Sequence, residues 1–584
     1  MKILHGIGVS RGVAIAPAVV LGKRAFRVPA RFVNVKAVDS AIERLETAVD
    51  AVCAEIAESE RMAAKQLGEK YSTIFHAHQQ MLRDPKLLEE MKQLIREKCY
   101  APEYAASQVF RRYIKVFQNL GTAYLAERAM DLEDLERRLV RQLLGKQRLD
   151  LSHFTQDVVV LANDLTPGET ADLDRQHVKG FATEAGGPTS HTAILAGALE
   201  IPAVVGIGPF LNDVQAGETV IVDGTQGVVI VAPDEPTLER YRMRSRQLAM
   251  LRQRRRQLRT RPAVTRDGVR IRLKANIEFP DEIDHCLEHG AEGVGLFRTE
   301  FLYLRDEQEP TEEEHFEAYR RVVEAFGDKP VTIRTLDLGA DKVSQRIRER
   351  ERPPANPALG LRSLRLSLKY LDLFKTQLRA ILRVARLGNV QVMFPLVTTV
   401  QEFRQARLVL NEVAEDLSHD GIDHDRKIPI GMMVEVPAAA IMAERFAREA
   451  GFFSIGTNDL IQYTLAADRG DKEVAHLYRA GEPAVMRLLR MTTAAARKHG
   501  IPVAVCGQMA SQLPFVPVLI GMGVRELSVP PQVIPELKDL IGKLDTRECA
   551  NLSKAIARFE SGNTVEQHLV RVVRSCMEND LEEA

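Results

Sequence analysis

After Pro262 the chain settles into one rhythm, a short apolar run followed by an amphipathic stretch of 10–18 residues, and keeps it for about 280 residues. Eight apolar runs stand out, at 269–277, 293–300, 330–337, 390–396, 429–436, 452–459, 502–508 and 526–530. Helical stretches follow at about 281–289, 312–326, 371–387, 400–417, 438–449, 481–499, 511–521 and 533–543. Eight strand–helix units in succession are the signature of a (β/α)8 barrel. Residues 263–584 are therefore expected to form one.

A barrel carries its catalytic groups at the C-terminal ends of its strands. Read at those ends, the sequence gives Asn276, Arg298-Thr299-Glu300, Arg334-Thr335-Leu336-Asp337, Glu435, Asn458-Asp459, Cys506 and Ser528, so nearly every strand ends in a polar group. The third crossover is long and carries Asn356–Arg362, a candidate active-site loop. Glu435 and Asp459 are hard oxygen ligands that suit Mg2+, which is held by one or two carboxylates with substrate completing its shell. Arg298, Arg334, Arg362 and Arg469 form a cationic set, and arginine forks match phosphate and carboxylate oxygens. A metal and several arginines at one rim imply a small, highly anionic phosphorylated substrate. Cys506 can give or take a proton there. Taken singly, each arginine could be a surface pair and the cysteine a buried hydrophobe; the joint placement at strand ends argues for a site.

The first 232 residues are organised differently. Residues 1–22 are apolar and punctuated by Gly6, Gly8 and Gly12, while 36–146 are helical, with Ile42, Leu45, Val49, Val52 and Ile56 at three- and four-residue spacing. Strand character returns at Asp157–Ala162, Val178–Ala182, Ala203–Val205, Thr219–Gly224 and Gly227–Val231. The opening stretch is expected to pair with these strands, which makes the helical block an insertion in an α/β domain. The expected division is 1–22 and 147–232 for the α/β domain, 23–146 for the helical domain, 233–262 for a linker helix and 263–584 for the barrel. The linker holds ten arginines between Glu235 and Arg261. The run Arg252–Arg256 could engage nucleic acid, but no stacking aromatics accompany it and a solvated helix is the better reading.

Inside the α/β domain one stretch carries chemistry. Gly186-Gly187-Pro188 makes a tight turn, Thr189 or Ser190 can cap a following helix, and His191 falls in its first turn. The positive end of the helix dipole keeps an imidazole neutral and offers N–H donors to a phosphoryl group. The plainer alternative is a histidine that only caps a loop.

Lys+Arg and Asp+Glu balance at 80 each, so overall charge does not point to nucleic acid. No apolar run approaches the roughly 18–20 residues of a membrane span, and the N-terminus shows no secretory signal. Six cysteines without C-x-x-C spacing fit reduced thiols in a cytoplasmic protein and argue against structural zinc.

Together, Gly186–Ala196, Gly295–Phe301, Ile333–Asp337, Val434–Pro437 and Ser454–Leu460 resemble the Enzyme I family of the bacterial sugar phosphotransferase system, the phosphoenolpyruvate–protein phosphotransferases, over essentially the whole chain. The resemblance implies that phosphoenolpyruvate phosphorylates His191 on Nε2, and that the phosphoryl group passes to a histidine of the phosphocarrier HPr. It assigns Arg298, Arg334, Asn458 and Arg469 to phosphoenolpyruvate binding, with Arg362 and Asp459 beside them. Glu435 and Asp459 would hold Mg2+, Cys506 would protonate the pyruvate enolate, and Thr166 would orient His191. Phe75, His78, Met81, Leu82 and Arg128 would meet the carrier, and the barrel would form a homodimer. Two residues depart from the family pattern: Pro188 stands where an arginine is usual, and Gln508 where a glutamate is usual. A phosphoenolpyruvate synthase or dikinase shares several motifs but needs an ATP-grasp domain, for which this chain has no room. An Enzyme I of the nitrogen-regulatory branch, which usually carries an N-terminal sensory domain, and a non-catalytic regulatory relative are the other readings.

Overall fold

The computed structural model describes residues 1–10, 12–21, 30–67, 78–119, 123–145, 154, 156–165, 177–187, 201–304, 308–340, 343–351, 356–469, 471 and 473–582. His191, Thr166, Pro188 and Phe75 lie outside the described residues, as does the side chain of Arg128. The chain divides into two compact units, Met1–Leu251 and Arg252–Ala584.

The first unit contains an eight-stranded mixed sheet made of β1 (Lys2–His5), β2 (Ile7–Ser10), β3 (Val13–Leu21), β4 (Val158–Ala162), β5 (Val178–Thr183), β6 (Ala203–Val205), β7 (Thr219–Asp223) and β8 (Val228–Val231), in the order β1-β8-β7-β3-β4-β5-β6-β2. As expected, the opening residues join the later strands: β3 runs parallel to β4 and antiparallel to β7, β1 pairs with β8, and β2 with β6. The unbroken apolar run of β4 has a simple cause. Val159 and Leu161 enter one core and Val158, Val160 and Ala162 another, so the strand is buried on both faces.

Between β3 and β4 come α1 (Val38–Leu67), α2 (Pro85–Lys98), α3 (Pro102–Asn119) and α4 (Ala123–Leu143). The spacing read in the sequence is the core face of α1: Leu45, Val49, Val52 and Ile56 are buried and Ile42 packs against them. The start of α2 is set by Asp84, whose carboxylate accepts from the N–H groups of Lys86 and Leu87 at 2.8 and 3.1 Å, with Pro85 in the first turn. The arginine-rich stretch forms one helix, α5 (Glu235–Leu258). Its Leu238 and Tyr241 pack on Ile221 and Ile230 of the sheet, and Arg244 reaches the buried Asp223 at 3.1 Å.

In the second unit, β9 (Ala263–Val264) precedes eight parallel strands: β10 (Arg270–Ile277), β11 (Val294–Phe297), β12 (Val331–Arg334), β13 (Val390–Phe394), β14 (Ile430–Val434), β15 (Phe452–Ile455), β16 (Val503–Val505) and β17 (Glu526–Val529). Each pairs with the next, and β10 also pairs with β17, so the barrel closes. Val392 and Phe394 of β13 face the helix layer, while Met393 meets Leu296, Met433, Phe452 and Cys506 in a separate cluster inside the barrel. The strands are shorter than the apolar runs, because the polar residues at the ends of those runs have already left the ladder. The helix expected at 438–449 is broken at Met442 into Pro437–Ile441 and Ala443–Phe446. Two helices, Thr546–Ile556 and Gly562–Glu582, follow the last barrel helix.

Candidate active site

The rim at the C-terminal ends of the barrel strands gathers the residues singled out there. Arg334 ends β12, Arg298 follows β11, Glu435 follows β14 and Cys506 follows β16, while Asn458 and Asp459 open the helix Thr457–Leu465 after β15. Asp337 is the hub of the arginines. One carboxylate oxygen lies 2.7 Å from Arg334 Nη1; the other accepts from Arg362 Nη2 at 3.0 Å and from the Ser363 hydroxyl. Burial alone would raise this carboxyl, but the two guanidinium groups outweigh it and hold it down at about 2. Arg334 also donates to Glu300 at 2.9 Å, and Arg298 to Glu278 at 2.7 Å. The Nε atoms of both Arg298 and Arg334 are buried without a hydrogen-bond partner among the described residues. An unmet buried donor is costly unless a ligand completes it, so two donors are left for an anion.

Backbone strain collects at the same rim. Ser363 and Leu396 adopt positive φ (53° and 50°) without being glycine, each costing about 1 kcal/mol or more. Each holds a carboxylate: the Ser363 hydroxyl binds Asp337, and the Leu396 N–H donates to Glu435 Oε1 at 2.6 Å. Gly456 closes over the other Glu435 oxygen, since a Cβ there would lie 2.7 Å from Oε2.

Glu435 is buried, and that burial, with repulsion from Asp337 and Asp459, raises its carboxyl to about 8 despite Arg334. Asp459 lies 3.7 Å from Arg362. Among the described residues no three His, Cys, Asp or Glu side chains form a self-sufficient metal site. Crowded carboxylates short of cations nevertheless fit an oxygen-seeking ion that takes its remaining ligands from substrate and water.

The Cys506 thiol is buried, and burial pushes it up to about 11, so it is protonated at neutral pH. Asn458 accepts the Gln508 N–H on its side-chain oxygen at 2.9 Å, and its backbone carbonyl accepts from Tyr478 at 3.1 Å. The Gln508 contact uses the backbone and its side chain is exposed, so the exchange of glutamate for glutamine leaves this bond intact. Arg469 is exposed on the following loop, beside the Tyr478 hydroxyl.

In the first unit, the approach to the histidine stretch is anchored at Glu184. Glu184 accepts from the N–H groups of Phe210 and Leu211 at 2.7 and 2.8 Å and from Asn163 at 2.8 Å. Of the expected carrier contacts, Met81 is half-buried, but His78 and Leu82 are buried. His78 Nε2 lies 3.1 Å from Asp131, and Leu82 belongs to the helical core. Both therefore pack within the helical domain. The sequence reading assigned no role to Asp337, although it named it at a strand end, and it missed Gly456 and Ser363; the glycine beside Asn458-Asp459 was the one local signal.

A closed barrel with converging carboxylates, a buried arginine and a buried thiol at its C-terminal rim has the arrangement of an enzyme. Three family models match: PEP-utilising enzyme, PEP-binding domain, over residues 252–546; PEP-utilising enzyme, N-terminal, over 5–128; and PEP-utilising enzyme, mobile domain, over 154–227. The chain is 42% identical to the phosphoenolpyruvate-protein phosphotransferase of Geobacillus stearothermophilus, covering 97% of each chain. It is 40% identical to that of Bacillus subtilis, covering 97% of this chain and 98% of the relative. An NMR solution structure of an Enzyme I protein aligns with 42% of this chain and 99% of its own, at 38% identity and a TM-score of 0.37. The chain belongs to the phosphoenolpyruvate-protein phosphotransferase family, Enzyme I.

Proposed function

We propose that the barrel rim binds phosphoenolpyruvate and gives its phosphoryl group to His191, which passes it to a histidine of an HPr-type carrier, the first step of a sugar phosphotransferase system. The observation that carries this reading is the pair of unpartnered buried Nε–H donors of Arg298 and Arg334 beside a cluster of carboxylates. In this reading Arg298, Arg334, Arg362, Asn458 and Arg469 hold the phosphate and carboxylate of the substrate in line with the imidazole; phosphoryl transfer depends chiefly on such positioning. Glu435 and Asp459 would hold Mg2+, whose charge offsets that of the phosphate and the developing enolate. The bond between phosphorus and the enol oxygen breaks as the bond from phosphorus to His191 Nε2 forms. The enolate carbon takes the proton of Cys506 Sγ, giving pyruvate, and solvent reprotonates the thiolate. Phe75, His78, Met81, Leu82 and Arg128 are the carrier-facing candidates, and Thr166 is the candidate to orient His191. A cytoplasmic homodimer joined through the barrel completes the proposal; six free cysteines suit a reducing compartment. Among the described residues, no helix is long and apolar enough to cross a membrane.

The test is pyruvate release from phosphoenolpyruvate in the presence of HPr or, in parallel, its nitrogen-branch relative. The expected result is turnover that needs both carrier and Mg2+, stops with a chelator and favours HPr. Turnover without a carrier, or in the presence of chelator, contradicts the reading; preference for the other carrier moves the chain to the nitrogen branch.

A further inference from the structure

A chain of polar side chains that the proposed chemistry does not use runs behind the rim. Its centre is Gln377, fully buried on the helix Leu371–Val384. The Gln377 carbonyl oxygen accepts the Leu336 N–H at 3.0 Å. Its amide nitrogen donates to the Thr299 hydroxyl at 3.0 Å and to the Tyr319 hydroxyl at 3.1 Å. Thr299 in turn donates to the backbone carbonyl of Arg334 at 3.0 Å. Beyond Tyr319, the ring nitrogens of His315 lie 2.8 Å from the Tyr319 hydroxyl and 3.2 Å from that of Tyr303, and all three side chains are buried.

Thr299 stands between Arg298 and Glu300, while Leu336 stands between Arg334 and Asp337 in the next rim segment. One carboxamide therefore ties together, from behind, the two segments that carry the paired arginines and their carboxylates. A buried amide that uses its acceptor and both donors fixes three groups at once, and an apolar side chain of equal volume fixes none of them. Neither Gln377 nor its partners lies in a motif of the rim, apart from Thr299 and Leu336 themselves.

We propose that Gln377 is a positioning residue for phosphoenolpyruvate: through Thr299 and the Leu336 N–H it sets the spacing of Arg298 and Arg334, and so acts on substrate affinity without touching substrate. The proposal rests on the reading that these arginines bind phosphoenolpyruvate.

The test uses the full chain with Mg2+ and carrier, measuring KM for phosphoenolpyruvate, kcat and thermal midpoint for Gln377→Met, Thr299→Val, Thr299→Ser, Thr332→Val and Arg334→Met. Loosening of the binding arginines is expected to raise KM roughly tenfold in Gln377→Met and Thr299→Val, short of the roughly 100-fold that a full 1 Å misplacement can cost, with kcat within about twofold. Thr299→Ser, which keeps the hydroxyl, restores most of the lost affinity. Thr332, a buried hydroxyl at the opposite end of the barrel that donates to Gln391 at 3.1 Å, serves as the structural control; its valine variant lowers the midpoint and leaves KM unchanged. If Gln377→Met and Thr299→Val lower only the midpoint, or if serine fails to rescue Thr299, the positioning role is overturned. If Gln377→Met does not fold, the two Thr299 variants decide. If Arg334→Met itself keeps the parent KM, the underlying reading of the rim fails instead.

Discussion

The two ends of the barrel bury charge in opposite ways. At the N-terminal end Glu526, the first residue of β17, meets Lys274 at 2.6 Å with one oxygen and Arg272 at 3.0 Å with the other. Burial pushes its carboxyl up, but the two cations outweigh burial and leave it below the ordinary value. At the C-terminal rim Glu435 rises to about 8, two arginines keep unmet donors, and Ser363 and Leu396 hold strained backbone. One end is electrostatically complete; the other becomes complete only with a ligand. The contrast separates groups that hold the fold from groups that serve chemistry, within one sheet and at similar depth.

Removing one cation at each end tests that contrast most severely. Arg334→Met is expected to lower kcat/KM by roughly 1000-fold, as loss of a buried charge-stabilising group does. Lys274→Met is expected to keep the parent kinetic constants and lose about 3 kcal/mol of stability in urea unfolding, because it breaks a buried pair. If Lys274→Met loses activity in proportion, the two ends are not separable.

Cys506→Ala should slow pyruvate formation roughly 100-fold, the ordinary contribution of a general acid, with KM little changed. Parent turnover would remove Cys506 as the proton donor.

A smaller effect should appear in stability against pH. His315 faces Tyr303, Tyr319 and Glu314, and burial lowers its pKa to about 3. Its folded value lies below the ordinary 6.5, so the unfolded chain binds the extra proton between those limits. The His315 contribution is complete above about pH 6.5 and is lost toward pH 3, by at most about 1.4 kcal/mol per pH unit. Urea unfolding of the barrel unit at pH 4.5 and 5.5, with and without His315→Asn, isolates it. Equal slopes in the two proteins would mean that His315 is protonated when folded. The smallest change is expected from Gln508→Glu. Its side chain is exposed and its backbone makes the contact to Asn458, so turnover should stay within about threefold, by the usual size of surface substitutions.

The barrel was legible because alternation of strand and helix is a local signal repeated eight times. Arg334, Glu435, Asn458, Asp459 and Cys506 were legible for a related reason: topology brings successive strand ends to one rim, so position along each strand suffices. Asp337 could be seen at a strand end, yet its hold on Arg334 and Arg362 joins residues 25 apart through a loop with no period. Gln377 and the Lys274–Glu526 pair had no signal at all, since their partners lie 41 and 252 residues away.

The most direct test of the account is labelling at His191. The full chain and its His191→Ala variant would be incubated with Mg2+ and phosphoenolpyruvate labelled on phosphorus, and an HPr-type carrier then added. The parent is expected to take an acid-labile label and yield it to the carrier, while His191→Ala takes none yet binds phosphoenolpyruvate as the parent does. Equal labelling of the variant would contradict this.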